Sequence, residues 1–382
     1  MKKNKLLLLT IAICVSIGGL AVGQSNVVDS MDFQGSGNEL TLEEAIETIQ
    51  SDNSTIESAK LDLEQAKVEY DQGKKALRKA DEYYGDKRED SLQYLQNIKL
   101  LKLSTDFILD NAERNYEATI EKEKAEVEEL YFSLLQAEEL VEISKQNLEV
   151  SEDLYEKSKK KLELGLAAKQ EVLNSELSYI QAENEYKSSL EVVKKAKMMI
   201  NIKLGNEIMT EISLVNELEY NEFDEKSIAS AVSQAWENRN EIKAAEFNYD
   251  IEDTNMSITE KQYPEITFIY REQKVKREQA LTDLENAKKN IELEVRSNYL
   301  DILQKQEDII AGEKSVELAE EALRLIELSY EVGMSVLTDV QTAQSTLKQA
   351  KLGLSKAILD YNLAILKFED SIGVGRTTIS IS

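Results

Sequence analysis

One helical pattern occurs twice in this chain, and a duplication of that length constrains the fold more than any single motif does. Ala45-Ile46, followed by Ile56, Ala59 and Leu61, returns in the second half as Ala231-Val232, followed by Ile242, Ala245 and Phe247. Farther on, Tyr131, Gln136, Gly165, Val172, Ala182, Leu204 and Gly205 return at a constant but shorter offset as Tyr299, Gln304, Gly333, Val340, Ala350, Ile372 and Gly373. The first copy is therefore the longer, by roughly five helical turns, inserted between about Tyr70 and Ala125.

Within each copy one long stretch keeps a seven-residue apolar spacing. It reads Ile120, Val127, Leu134, Val141, Leu148, Tyr155, Leu162 in the first, and Val295, Ile302, Ile309, Val316, Leu323, Tyr330 in the second. Sustained heptads imply left-handed supercoiling against a neighbouring helix. Three residues on in the first copy stand Leu130, Ala137, Ser144, Ser151 and Ser158, mostly small, so a neighbour can approach closely there. The stretch from Glu89 to Glu163 predicts a helix of roughly 75 residues, about 110 Å long. Thr41–Tyr83 and Ala167–Leu204 together cover a similar length. The second copy repeats this with Arg271–Glu331 and two shorter partners. Heptads alone fit an ordinary coiled-coil hairpin, but a long helix beside two stacked short ones, present twice, fits the wall of a cylinder.

Composition agrees: one Pro, 14 Gly and 6% aromatic residues among 382, with 31% charged, are the proportions of long helices rather than of a thick core. Thr41 with Glu44 three residues on predicts a capping box at the first helix start. Residues 1–23 read as a secretory signal, with Lys2, Lys3 and Lys5, an apolar run from Leu6 to Leu20, and Ala21-Val22-Gly23 before Gln24. Cys14 follows bulky Ile13, which disfavours lipidation, and with the signal removed no cysteine remains for a disulfide. Losing the three signal lysines takes the net charge from −27 to about −30, which repels nucleic acid and anionic membrane surfaces. That acidity suits either a solvated helix exterior or a cation-favouring channel lining. The domains expected are a flexible leader at 24–39, repeat 1 at 40–215, repeat 2 at 216–375 and a tail at 376–382.

Two turn segments and the repeat start carry a resemblance. Leu40-Thr41-Leu42-Glu43-Glu44-Ala45-Ile46, then Leu164-Gly165-Leu166-Ala167-Ala168-Lys169-Gln170-Glu171-Val172-Leu173, then Val332-Gly333-Met334-Ser335-Val336-Leu337-Thr338-Asp339-Val340 together resemble the TolC (outer membrane efflux protein) family over about residues 40–375. The resemblance implies an all-α fold of long antiparallel coiled-coil helices in two tandem repeats, three copies closing an α-helical barrel. It implies a passive duct across the cell envelope in a tripartite-like export system, partnered by a membrane-fusion adaptor and an inner-membrane pump. By that resemblance the partner-docking tip is Gly165, Leu166, Gly333 and Met334, and Glu171 and Asp339, each six residues after its Gly, are candidates for an entrance constriction. Each Gly equally suits a plain left-handed helix cap, and each acid a favourable charge at a helix N-terminus. The family's two membrane-spanning strands per repeat are missing. Ile266-Thr267-Phe268-Ile269-Tyr270 alone looks strand-like, against the roughly nine to eleven residues a spanning strand needs. This leaves an outer-membrane location in question and makes a cell-wall conduit an alternative.

Catalytic chemistry finds little to build on. There is no His, which excludes His triads and His metal sites. There is no Gly-rich phosphate loop, and the carboxylates alternate with Lys at helical spacing, as in Glu121/Lys124. The sequence calls for no cofactor, no metal and no enzyme activity. Trp236, at an apolar helix phase, is expected to pack. The competing class is a secreted coiled-coil spacer of the envelope without a lumen. An adaptor-like subunit would need β-rich domains that the sequence lacks.

Overall fold

The computed structural model describes residues 33–51, 53–84, 94, 98–220, 223 and 227–380, with side chains omitted at 34–38. The signal segment with Cys14 lies outside the described residues. In chain order the described elements are β1 (Gln34–Leu40), α1 (Leu42–Ser51), α2 (Ser54–Tyr84), α3 (Leu100–Glu163), α4 (Lys169–Lys203), β2 (Thr210–Leu214), α5 (Ile228–Asn238), α6 (Asn240–Glu260), α7 (Phe268–Glu331) and α8 (Leu337–Ile372). The fold is all-α in two tandem units. α3 and α7 have 64 residues each, about 96 Å at 1.5 Å per residue.

Each long helix is lined by two shorter stacked stretches. α1–α2 and α4 run along α3, and α5–α6 and α8 run along α7. The stacking point in repeat 1 is an apolar cluster in which Ala45 and Ile49 of α1 and Ile200 and Leu204 of α4 meet on Val127 and Leu134. In repeat 2 the matching cluster joins Ala231, Val232 and Ala235 to Val295, Phe368 and Ile372. The two units meet where α3 packs on α8 toward the Gly turns, and on α6 toward the opposite end. The order across the wall is thus α4, α3, α8, α7 at one end and α2, α3, α6, α7 at the other.

Seven-residue spacing is realised, but not by large residues throughout. Val127 and Leu134 are buried, whereas Leu148 and Tyr155 are only half-buried and Leu162 is exposed; burial passes to Ser144, Ser151 and Ser158. A straight helix drifts about 20° per heptad, so the buried stripe slides onto the small side. There Ser175, Ala182 and Ser189 of α4 face it, also seven apart and buried, and Ser158 Oγ lies 2.6 Å from Ser175 Oγ. Close approach recurs between α2 and α3, where a Cβ on Gly73 would stand 2.6 Å from Thr105 Cγ2.

Several expectations need correction. The leader is ordered at its end: β1 pairs in parallel with β2, matching Leu40 with Leu214 and Asn38 with Ile212. A leader of Gly and Ser has little local preference, so its partner, far along the chain, decides. The hydroxyl of Tyr131 clamps this sheet to α3, donating to Asn216 Oδ1 at 2.7 Å beside Leu40 O at 3.2 Å, and burial pushes its pKa up to about 12. Ile266–Tyr270 is no strand. Thr267 Oγ1 accepts from Tyr270 N and caps α7, which begins at Phe268. The first helical stretch is broken at Asn53, whose Oδ1 accepts from Thr55 N and Ile56 N to start α2. Trp236 is half-exposed, with Nε1 donating to Lys288 O. The capping box at Thr41 forms in both directions, at 3.0 and 3.2 Å.

Candidate functional site

The two Gly turns close the hairpins α3–α4 and α7–α8 side by side. Gly165 (φ 72°) and Gly333 (φ 78°) are left-handed, and both finish their helices identically. Leu166 N donates to Lys161 O and Gly165 N to Leu162 O; Met334 N donates to Ser329 O and Gly333 N to Tyr330 O. This is the Schellman pattern, which answers two orphan carbonyls and requires positive φ. Nothing stands within 4 Å of where either Cβ would be, so backbone conformation and not space selects glycine. Gly205 repeats the pattern at the far end of α4, so the cap alone does not mark a tip. What sets the two hairpin turns apart is their surroundings: Leu164, Leu166, Val332, Met334 and Val336 are all exposed there, Leu166 at 74% and Met334 at 84%. These side chains form an uncovered apolar cluster at the end of an otherwise polar rod.

The two acids six residues after the glycines occupy the same helix position and do different work. Asp339 folds back on its own helix start, accepting from Val336 N (3.1 Å) and Ser335 Oγ (2.8 Å). Those donors hold its carboxyl below the usual aspartate value. Glu171 instead crosses to the other repeat and accepts from Tyr330 Oη at 2.7 Å. Burial, then that carboxylate, pushes the Tyr330 hydroxyl well above its ordinary pKa. Lys161 sits 3.4 Å from the Tyr330 ring centroid, close enough for cation–π attraction. Behind this contact the hairpins are tied by Gln341 Nε2 to Ser178 Oγ (2.8 Å) and Lys348 Nζ to Glu185 Oε2 (2.8 Å). Tyr330, Lys161 and Gln341 were not foreseen as site residues. The signal was there in Tyr330, a heptad position whose phenol needs an acceptor once buried.

Both margins of the wall are apolar and uncovered. On α7, Leu293, Leu300, Leu318 and Leu325 are exposed, Leu293 at 65% and Leu318 at 73%. Two heptad steps, separated by one step of about five helical turns, keep them on one stripe. On the other margin, α4 exposes Leu173, Leu177, Ile180, Met199 and Ile202, and α2 exposes Leu61 and Val68. Among the described residues no cluster of His, Cys, Asp and Glu could hold a metal, and no helix is long and apolar enough to cross a membrane.

The family model for outer membrane efflux proteins matches residues 269–373, the greater part of repeat 2. No curated protein matches the chain in sequence. Among solved structures, the outer membrane protein VceC of Vibrio cholerae aligns with a TM-score of 0.69 at 14% identity, covering 88% of this chain and 97% of that one. The MtrE outer membrane channel of Neisseria gonorrhoeae gives 0.63 at 16%, covering 89% and 91%. The CmeC outer membrane channel of Campylobacter jejuni gives 0.61 at 12%, covering 94% and 95%. Among the described residues the only strands are β1 and β2, paired with each other. The resemblance to the TolC, or outer membrane efflux protein, family is therefore shown in sequence over residues 269–373 and in fold over about nine-tenths of the chain, with no barrel among the described residues.

Proposed function

We propose that copies of this chain join edge to edge into a closed helical duct, three per ring, serving as the passive conduit of an export system. The observation that carries this is the pair of uncovered apolar margins, α7 on one side and α2 with α4 on the other. Unlike edges on opposite sides make a heterologous contact, which closes into a ring when the rotation per copy permits. A single copy leaves both stripes in water. A duct of this kind has no energy source of its own, so transport draws on a partner pump in the inner membrane.

The Gly turns are the end that docks a membrane-fusion adaptor. Gly165 and Gly333 set the two backbones, and Leu166 and Met334 present the apolar contact. At the entrance, Glu171 and Asp339 supply carboxylates at equivalent positions, one latched to Tyr330 and the other to its helix end. The chain is exported and works in the cell envelope.

Light scattering with small-angle scattering on residues 24–382 tests the ring. A trimer longer than about 100 Å, given the helix lengths, is the expected result, and Leu293→Glu with Leu300→Glu should break it into monomers. A wild-type monomer or dimer would sink the duct and favour a spacer without a lumen.

A further inference from the structure

After α8 the chain does not leave the molecule. Residues 374–380 run back across the seam where α3 of repeat 1 meets α6 of repeat 2, and side-chain amides hold their main chain. Asn115 makes a two-way pair with Ile379: its Nδ2 donates to Ile379 O (2.9 Å) and its Oδ1 accepts from Ile379 N (2.9 Å). Asn111, one turn earlier on α3, donates to the same carbonyl at 3.1 Å. From the other repeat, Asn240 Nδ2 donates to Thr377 O (2.9 Å) and to Asn115 Oδ1 (3.0 Å), and Asn240 N donates to Val374 O (3.2 Å). Asn111 and Asn240 are buried. At the root of the tail, Gly375 is left-handed (φ 80°) and lies so close that a Cβ there would stand 3.0 Å from Arg239 Nε.

The side chains of Thr378 and Ser380, by contrast, are exposed, and the exposed Thr377 adds one side-chain hydrogen bond, to Glu241. Arg376 at the tail's root pairs with Glu129 and Asp370, but the asparagines themselves touch only the tail's peptide backbone. An amide side chain presents a donor and an acceptor side by side, as a strand edge does, and main-chain bonds of this sort are how extended peptides are captured by other folds. The site also has spare capacity: Asn111 Oδ1 has no hydrogen-bond partner, and Asn111 lines a groove of about 520 Å³ between α2, α3 and the tail.

We propose that Asn111, Asn115 and Asn240 form a binding site for an extended peptide main chain, filled in cis by residues 374–380, which clasps repeat 1 to repeat 2. The occupant is this chain's own tail. The clasp stands apart from the Gly-turn tip and does not depend on the duct reading.

The test uses the full chain and amide hydrogen exchange read by mass spectrometry. Ile379→Pro removes the tail N–H that Asn115 Oδ1 accepts and alters no helix. It should raise exchange at least tenfold in the tail and in the α3 segment around Asn111 and Asn115, with helical circular dichroism unchanged. Thr378→Ala with Ser380→Ala should exchange as wild type does. A synthetic peptide of residues 374–382 added to Ile379→Pro should restore protection at Asn111 and Asn115, and the same peptide N-methylated at Ile379 should not. Unchanged exchange in Ile379→Pro, release by the alanine changes, or equal rescue by both peptides would each overturn the clasp.

Discussion

Glu128 offers a test whose size can be worked out in advance. It sits on α3 in the seam between repeats, only 8% exposed. Burial pushes its carboxyl from the ordinary 4.5 up to about 7; Lys124 and Arg376 oppose that rise, while Glu121 and Glu369 add to it. An acid whose folded pKa is raised holds its proton better folded than unfolded. Its contribution to stability is then fully present below pH 4.5 and is lost as pH climbs through 7. At about 1.36 kcal/mol per pH unit, a rise from 4.5 to about 7 sets a ceiling of roughly 3 kcal/mol, and solvent reaching the carboxylate reduces it to about 1–2 kcal/mol. Glu128→Gln keeps the shape and removes the titration. The variant should melt within about 1 °C of wild type at pH 5 and several degrees higher at pH 8, taking about 2–4 °C per kcal/mol for a chain of this class. Thermal unfolding followed by circular dichroism, from pH 5 to pH 8, reads the difference. A variant that tracks wild type across that range, or is weaker at pH 8, would refute the claim that Glu128 is strained by burial.

Other sites give shorter tests. Tyr330→Phe removes the donor to Glu171 and should cost about 1 kcal/mol, with faster amide exchange confined to residues 165–175 and 328–340. Gly333→Pro cannot reach φ 78°; it should disturb the turn, and with it the adaptor docking proposed above, while leaving helical circular dichroism nearly unchanged, and loss of most helicity would contradict the turn. Gly73→Ala gains about 1 kcal/mol of helix propensity but meets Thr105 at 2.6 Å, so its melting temperature should fall, and Thr105→Ala in the same chain should recover most of the loss.

What the sequence showed and what it hid follow from the range of the forces involved. Heptads and glycine caps are local, so α3, α7 and both turns were readable to within a few residues at their Gly ends. The strand β1 was not, because Gln34–Leu40 has no preference of its own and pairs with Thr210–Leu214 far along the chain. Ile266–Tyr270 misled in the other direction: five residues of β-favouring type are overruled by Thr267, which supplies the cap that α7 needs. At the tip, spacing placed Glu171 and Asp339 as equivalents. Only the fold shows that Asp339 has a hydroxyl and an amide within its own turn, while Glu171 has a phenol from the other repeat.

That divergence is general, and it bears on how two like repeats make one wall. Under the offset that matches Tyr131 with Tyr299, Glu126 corresponds to Glu294, and both anchor an ion pair where the short helices abut. In repeat 1 the cation comes from the end of α4, Lys203, at 2.5 Å from Glu126 and 2.7 Å from Glu123. In repeat 2 it comes from the start of α6, Arg239, which reaches Glu294 at 3.0 Å and Glu241 at 2.9 Å. Burial alone would pull Lys203 down, yet its two carboxylates hold it above its ordinary value. The backbone repeat preserves where an acid must be neutralised, not which helix does it. Swapping the solution frees the end of α8 from carrying a lysine, and Ser371 stands there, accepting from Arg239 through its carbonyl. Arg239 Nε in turn lies against Gly375, where the tail departs for the asparagines of α3. A lysine at 371 would compete with Arg239 for Glu294. Ser371→Lys should therefore weaken protection from exchange in the tail and in the α3 segment it lies on, around Asn111 and Asn115, while leaving the Lys203–Glu126 end of repeat 1 untouched; equal loss at that end would refute this division of labour.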